Sequence, residues 1–205
     1  LVRSPGDTTA LRMENEALKN ENAQLRSQVI ELQEQQKDTE ILNALLNVAR
    51  DNPNSEYVTA MVIGRDANPF MRYVLINRGS DDNLRKGMPV ITAQGLVGRI
   101  DAVTANAARV QLITDPDAAV NVRLRVSEAE AMLVGSVTGD LDLEMVPQDV
   151  ELKAGEVILT SGLGGNYPPD IPVGQVSSVR RMETALFQTA AVQPAVDFSD
   201  LRSVL

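Results

Sequence analysis

The feature that most constrains this chain is a leucine that recurs at every seventh residue near its N-terminus. The repeat places leucines at d and two asparagines and a valine at a, namely Leu11, Asn15, Leu18, Asn22, Leu25, Val29 and Leu32. Such spacing is typical of a coiled coil, and asparagine at a favours two helices in register at a cost in stability. The alternative is a single amphipathic helix packed on its own domain, for which the leucine stripe is narrow. We therefore predict that two copies of the chain pair along this seam.

The heptad pattern stops after Leu32, because the next d position falls on Thr39. Turn-forming residues then follow from Asp51 to Ser55, with Pro53 among them, and these end a helix. The sequence thus predicts a coiled-coil helix over residues 1–50 and a separate β-region over residues 56–205.

The β-region is a series of short runs of β-branched and aliphatic residues. The predicted strands cover residues 57–64, 71–77, 95–103, 108–114, 119–126, 131–139, 141–146, 156–160, 173–180 and 187–193. Glycine, proline and aspartate turns separate them. Many short strands at this spacing indicate a sandwich or small barrels.

One internal echo suggests that the β-region contains two related modules. Residues 86–96, KGMPVITAQGL, are similar to residues 154–163, AGEVILTSGL. Downstream, VGRIDAV at 97–103 matches VGQVSSV at 173–179. The second copy carries extra residues between its matched pieces, mostly GGNYPPDIP. We predict two modules, each with a hairpin bounded by glycine.

Composition excludes several classes of function. The chain has no histidine and no cysteine, which removes zinc sites built on these residues and Ser-His or Cys-His nucleophile pairs. Its formal charge is -9, and no segment is dense in lysine or arginine, so we expect no nucleic-acid partner. No stretch approaches the 18 or so apolar residues of a membrane span. Because the sequence begins with Leu1, we expect it to be a piece whose anchoring or targeting segment lies upstream.

The segment TSGLGGNYPPDIPVG at 160–174 resembles a phosphate-binding loop, yet it lacks the residues that such loops need. A dinucleotide fingerprint requires a third glycine where Tyr167 stands, and a helix where Pro168 and Pro169 follow. Ser161 has no histidine to activate it and no lysine at Ser-x-x-Lys spacing. We interpret this segment as a structural turn with an insertion. No acid/base pair or calcium spacing stands out elsewhere, so we predict neither an enzyme nor a cofactor or metal site.

Three separated segments resemble the MreC family of bacterial rod shape-determining proteins. They are GRDANPFMRYVLINRGSDDNLRKGMPVITAQGLVGRI at 64–100, VILTSGLGGNYPPDIPVGQVSSV at 157–179 and VQPAVDFSDLRSVL at 192–205. The resemblance implies a mainly β fold, with a long N-terminal coiled-coil helix followed by two small six-stranded β-barrels. It leaves the boundary between the barrels open, since the chain can leave one module and return to it.

The same resemblance implies a non-catalytic scaffold of the cell-elongation machinery, or elongasome. Such a scaffold self-associates, binds and activates the elongation-specific class B penicillin-binding transpeptidase, and works with MreD, RodA and the actin-like MreB in cell shape and lateral peptidoglycan synthesis. It lies in the periplasm, anchored to the inner membrane by an upstream transmembrane helix that this sequence does not contain.

Two alternatives remain open from the residues. A periplasmic adaptor of an efflux or secretion system also joins helices to β-barrels, although its coiled coil is usually a two-helix hairpin. A divergent hydrolase built on two small barrels lacks its histidine here. Candidate partner contacts are aromatic or methionine side chains beside turns, each equally compatible with a core position: Phe70, Met71, Tyr73 and Tyr167.

Overall fold

One long helix precedes twelve strands in a computed structural model of the chain, which describes residues 5–51, 56–66, 71–181 and 185–205. The helix, α1, covers Pro5–Asp51. The strands are β1 (Ala60–Arg65), β2 (Tyr73–Ile76), β3 (Pro89–Ile91), β4 (Leu96–Val103), β5 (Ala108–Leu112), β6 (Ala119–Leu124), β7 (Glu130–Gly135), β8 (Leu141–Pro147), β9 (Val157–Thr160), β10 (Pro172–Arg180), β11 (Phe187–Pro194) and β12 (Ser203–Val204).

Helix α1 follows from its composition. Leucine, glutamate, alanine and glutamine are frequent in its sequence, and all have high helix propensity. It ends at Asp51, two residues before Pro53, which lacks the N–H that a continuing helix needs. The helix up to Ala44 forms one compact unit, and residues 45–205 form another.

The first barrel, called barrel one, has the strand order β12-β1-β2-β5-β4-β3. Its two ends are joined by a reciprocal pair of backbone hydrogen bonds between Ile91 and Leu205, each 2.9 Å long. Strands β1 to β5 are consecutive in sequence, whereas β12 comes from the last residues of the chain. Ser203 and Val204 pair with Met61 and Ala60, so the C-terminal residues complete this barrel.

The second barrel, called barrel two, is closed with the order β10-β11-β8-β7-β6-β9. All six of its strands lie between β5 and β12 in sequence. The chain therefore leaves barrel one after β5, builds barrel two and returns to barrel one. This topology confirms the predicted fold class of a long helix followed by two six-stranded barrels.

Each barrel is filled by the inward residues of alternating strands. The barrel-one core contains Val74, Ile76 and Val110, while Leu133, Leu143 and Ile158 are among the side chains at the centre of barrel two. Barrel-one residues Ile91, Leu96 and Ile113 belong to the same buried cluster as the barrel-two core. The two cores are almost entirely aliphatic, in keeping with an aromatic content of only 3%.

The internal echo corresponds to equivalent hairpins, β3–β4 in barrel one and β9–β10 in barrel two. Gly87 N–H donates to Ile100 C=O at 2.8 Å, and Gly155 N–H donates to Val176 C=O at 2.7 Å. Both glycines have positive φ, +92° and +86°, a conformation that favours glycine. The two copies of the repeat therefore adopt the same turn before the same hairpin.

Candidate interaction surfaces

The predicted coiled-coil seam lies on an exposed part of α1. Its larger apolar side chains are more than half exposed: Leu18 57%, Leu25 53%, Val29 52% and Leu32 63%. Asn15 and Asn22 are exposed as well, and the side chain of Leu11 lies outside the described residues. Exposed apolar side chains at heptad spacing mark a surface that another helix can cover. The pairing itself stays a prediction.

Other apolar residues of α1 are exposed away from the seam, among them Met13 and Ile30. Met13 and Ile30 occupy f and b positions of the heptad and are 68% and 58% exposed. Exposure alone therefore does not single out the seam. The heptad spacing is the feature that distinguishes the leucines from these two residues.

A second apolar surface lies on the outside of barrel one, on β1 and β2. Met61 and Ile63 are each 60% exposed, and Leu75 on the neighbouring strand is 42% exposed. Asn77 N–H donates to Met61 C=O at 3.0 Å, and Leu75 lies two residues before Asn77. Residues two apart on a strand share a face, so Met61, Ile63 and Leu75 lie together. The predicted contact residue Met71 is half exposed just before β2.

A hydrogen-bonded pair of opposite charge, Arg109 with Asp101, borders this face beside the ring of Tyr73. The Arg109 guanidinium lies 4.8 Å from the centre of the Tyr73 ring and donates from Nε to Asp101 at 3.0 Å. The Arg109 hydrogen bond holds the pKa of Asp101 below its usual value, and the pKa of Arg109 is raised in turn. Partial burial, followed by the charge of Asp115, raises the pKa of Tyr73. Methionine, tyrosine and arginine together are typical of protein–protein interfaces.

The other two predicted contact residues lie elsewhere. Phe70 lies outside the described residues. Tyr167 is only 7% exposed and belongs to the buried barrel-two cluster. Its burial raises the pKa of the phenol. The structure therefore brings Met71 and Tyr73 onto one surface of barrel one and places Tyr167 in the interior.

The glycine-rich segment at 160–174 forms a loop of tight turns in the structure. Gly162, Gly164 and Gly165 all have positive φ, and the Ser161 hydroxyl accepts the N–H of Leu163 at 3.2 Å. The Thr160 hydroxyl donates to Pro168 C=O at 2.6 Å and accepts from Ile171 N–H at 2.9 Å. The hydroxyls of Thr160 and Ser161 thus hold turns within the segment itself.

Sequence reasoning missed Met61, Ile63 and Leu75. These residues lie in strands that are apolar on both faces, so alternation does not tell which face points outward. Met61 and Ile63 are two residues apart and share a face, while the bulge between Val62 and Gly64 brings Gly64 opposite Leu75. Only the pairing of β1 with β2 and β12 shows which side is buried.

The described ranges, 5–51, 56–66, 71–181 and 185–205, contain neither a group of metal ligands nor a helix that could span a membrane. No group of three acidic, histidine or cysteine side chains there is arranged to hold a metal ion. None of the helical residues described forms a stretch long and apolar enough to cross a bilayer.

Comparison with known proteins identifies the family. Residues 62–205 match the family model "Rod shape-determining protein MreC, barrel core". The chain belongs to the MreC family. It is 33% identical over 199 residues to the "Cell shape-determining protein MreC" of Listeria monocytogenes, covering 93% of this chain and 66% of that protein. It is also 31% identical to the Escherichia coli protein, of which it spans 53%.

Solved structures of MreC proteins share the fold. A structure named "MreC" superposes with a TM-score of 0.77 at 29% identity, covering 82% of this chain and 96% of that one. A complex between penicillin-binding protein PBP2 and MreC from Helicobacter pylori contains a chain with a TM-score of 0.59, covering 73% of this chain and 96% of that one. Its identity of 16% shows the fold alone. Membership of the MreC family decides against the efflux-adaptor alternative.

Proposed function

We propose that this chain is a non-catalytic scaffold of bacterial cell elongation that pairs through α1 and presents the two barrels to a penicillin-binding transpeptidase. The observation that carries the proposal is the match of the whole barrel region, residues 62–205, to the MreC barrel core. The Helicobacter pylori complex supports a partner of the penicillin-binding class for this fold. We place the chain in the periplasm, held at the inner membrane by an upstream anchor, within a complex that also contains MreD, RodA and MreB.

The proposed division of labour assigns residues 1–50 to pairing and residues 56–205 to partner binding. For pairing, Leu11, Asn15, Leu18, Asn22, Leu25, Val29 and Leu32 form the seam. Charges beside the seam favour a parallel dimer. In parallel coiled coils a g residue faces the e residue of the next heptad on the partner helix. Glu14 would thus face Lys19 of the second copy, and Glu21 would face Arg26.

Met71 and Tyr73 are the predicted contacts that lie at the exposed face of barrel one, beside Met61, Ile63 and Leu75. We propose that Met71 and Tyr73 take part in binding the transpeptidase. Apolar side chains with an adjacent tyrosine and arginine provide burial and orientation in one surface.

Binding of the purified periplasmic part of the elongation transpeptidase to the immobilised full chain tests the proposal. We expect saturable binding and a stimulation of peptidoglycan cross-linking by the transpeptidase when the chain is added. Met71→Glu with Tyr73→Ala should weaken binding at least tenfold, whereas Val126→Glu, an 80% exposed position on barrel two, serves as the control. Absence of binding by the unmodified chain would overturn the partner assignment. If the double variant binds as tightly as the Val126→Glu control, the transpeptidase does not contact Met71 and Tyr73.

A further inference from the structure

A buried aspartate stands where the chain passes from barrel one into barrel two. Asp115 is 1% exposed and follows β5 by three residues. Its Oδ2 accepts the backbone N–H of Arg72 in barrel one at 2.8 Å. Its Oδ1 accepts from Gln111 Nε2 at 2.9 Å and from the N–H of Asp117 at 3.1 Å. A carboxylate is buried only where donors satisfy it, and three donors meet this one.

The backbone of Arg72 contacts Asp115, and its side chain reaches from barrel one into barrel two. Its Nη2 donates to Val137 C=O in the β7–β8 turn at 3.3 Å. Its guanidinium lies against Gly139, where a Cβ would come within 2.3 Å of Cζ. The Nε atom is buried and makes no hydrogen bond to the described residues. Leaving a buried donor unsatisfied is destabilising, so packing between the barrels must hold the side chain in this position.

The second point of contact is the insertion that breaks the internal repeat. Residues 164–172, GGNYPPDIP, have no counterpart in the first copy, where the corresponding turn contains only Ala93, Gln94 and Gly95. From this insertion, Tyr167 enters the buried cluster that contains barrel-one residues Ile91 and Leu96.

Barrel one approaches this insertion closely. Burial raises the pKa of the Tyr167 phenol, and the charge of Arg99, on β4, lowers it by a smaller amount. At the end of the insertion the two hairpins nearly touch, because a Cβ on Gly95 would lie 2.2 Å from the Pro172 carbonyl oxygen.

We infer that Asp115 with Arg72, and Tyr167 with its insertion, form a two-point brace that fixes the orientation of barrel two relative to barrel one. Two single-stranded connections join the barrels, one after β5 and one after β11. Short connections of this kind act as hinges unless packing between the joined bodies restrains them. The brace restrains both, and it makes the two barrels one rigid body whatever partner they bind.

The first test variant is Asp115→Asn. An asparagine has one oxygen, whereas Asp115 uses both of its oxygens to accept hydrogen bonds. In either orientation of the amide, its NH₂ group would face a donor, either Arg72 N–H or the pair from Gln111 and Asp117. The matched control is Asp117→Asn, the same substitution two residues away at an exposed side chain.

Two more variants address the remaining contacts. Tyr167→Ala removes the aromatic ring at the second point, with Phe187→Ala as its control because Phe187 is 48% exposed on barrel two. Arg72→Met keeps the aliphatic stem but removes the guanidinium that reaches Val137. It keeps the inference testable if Asp115→Asn fails to fold.

The measurement is a distance between spin labels in the full chain, which contains no native cysteine. One label replaces Met61 on barrel one and the other replaces Val126 on barrel two, at 60% and 80% exposure. Dilution with unlabelled chains removes distances between copies. A second pair within barrel two, at Val126 and Glu151, reports whether that barrel stays folded in each variant.

We expect one narrow distance in the unmodified chain and in both controls. Asp115→Asn, Arg72→Met and Tyr167→Ala should each shift the inter-barrel distance to a broad or two-peaked distribution while the distance within barrel two stays unchanged. A narrow, unshifted inter-barrel distance in all three folded variants would overturn the brace. A broad distance in the unmodified chain would overturn it as well.

Discussion

Gly98 and Gly174 stand at the same point of the two barrels, each directly against the backbone of the next strand. A Cβ on Gly98 would lie 1.8 Å from the Gln111 carbonyl oxygen, and one on Gly174 would lie 2.3 Å from that of Gln193. Gly98 pairs with Val90 across its hairpin, and Gly174 pairs with Ile158. Each copy of the repeat therefore needs a glycine after its valine, because the backbone of the neighbouring strand occupies the space of a side chain.

Replacing either glycine by alanine should destabilise the β-region strongly. We expect Gly98→Ala and Gly174→Ala each to lower the free energy of unfolding by about 3 kcal/mol or more, since backbone atoms must move to admit the methyl group. Gly64→Ala is the control, because its Cβ would meet only the Leu75 side chain at 3.5 Å. Urea unfolding measures the difference. A loss below about 1 kcal/mol in both variants would show that the neighbouring strand moves aside at little cost to admit the methyl group.

Charged residues on the seam of α1 should prevent pairing. We expect Leu18→Glu with Leu25→Glu to make the chain monomeric at micromolar concentration, because two buried d layers would each hold facing carboxylates. Met13→Glu with Ile30→Glu adds the same charge outside the seam and should leave the dimer intact. Sedimentation velocity distinguishes the species. A seam variant that remains dimeric would place the pairing in the barrels.

Charge reversal beside the seam tests the orientation of the helices. In a parallel dimer, Lys19→Glu with Arg26→Glu turns attractive pairs with Glu14 and Glu21 into repulsive ones. We expect at least about tenfold weaker pairing at low salt, since each exposed pair contributes about 0.3–0.5 kcal/mol. Adding Glu14→Lys and Glu21→Lys should restore it. In an antiparallel dimer like positions face one another, so the first variant would have no effect on the dissociation constant.

The Asp101–Arg109 contact gives the β-region a defined response to acid. The hydrogen bond from Arg109 lowers the pKa of Asp101 in the folded state below the unfolded value of about 3.9. Its stabilisation is complete above the unfolded pKa and is lost as the pH falls through the folded pKa. We expect Asp101→Asn to lower the melting temperature at pH 7 but to have less effect below pH 4, as melting curves across this range would show. An equal effect at every pH would assign the change to packing.

Much of the fold was predictable because the local patterns are strong. The seven-residue spacing predicted α1, whose observed bounds, Pro5–Asp51, lie close to the expected ones. Ten of the strands fall within a few residues of the predicted runs, where β-branched residues cluster between turns. Strands β3 and β12 were missed because they are only three and two residues long, and no periodicity is visible at that length.

The candidate surfaces were less predictable. Met71 and Tyr73 were chosen for their residue types beside a turn, and the structure places them at an exposed face. Tyr167 was chosen on the same grounds and is buried. Its neighbourhood depends on Ile91, Leu96 and Arg99, which lie more than sixty residues earlier in the chain.

By itself, the sequence determined the helix, the strand-rich region, the repeated hairpin and the exclusion of histidine or cysteine chemistry. These follow from periodicity and composition, which act over a few residues. Only the tertiary structure decided that Leu205 closes barrel one against Ile91, that Asp115 meets Arg72, and which side of β1 faces solvent. Such contacts join residues far apart in sequence, and they form only when chain closure brings the partners together and burial offsets its entropy.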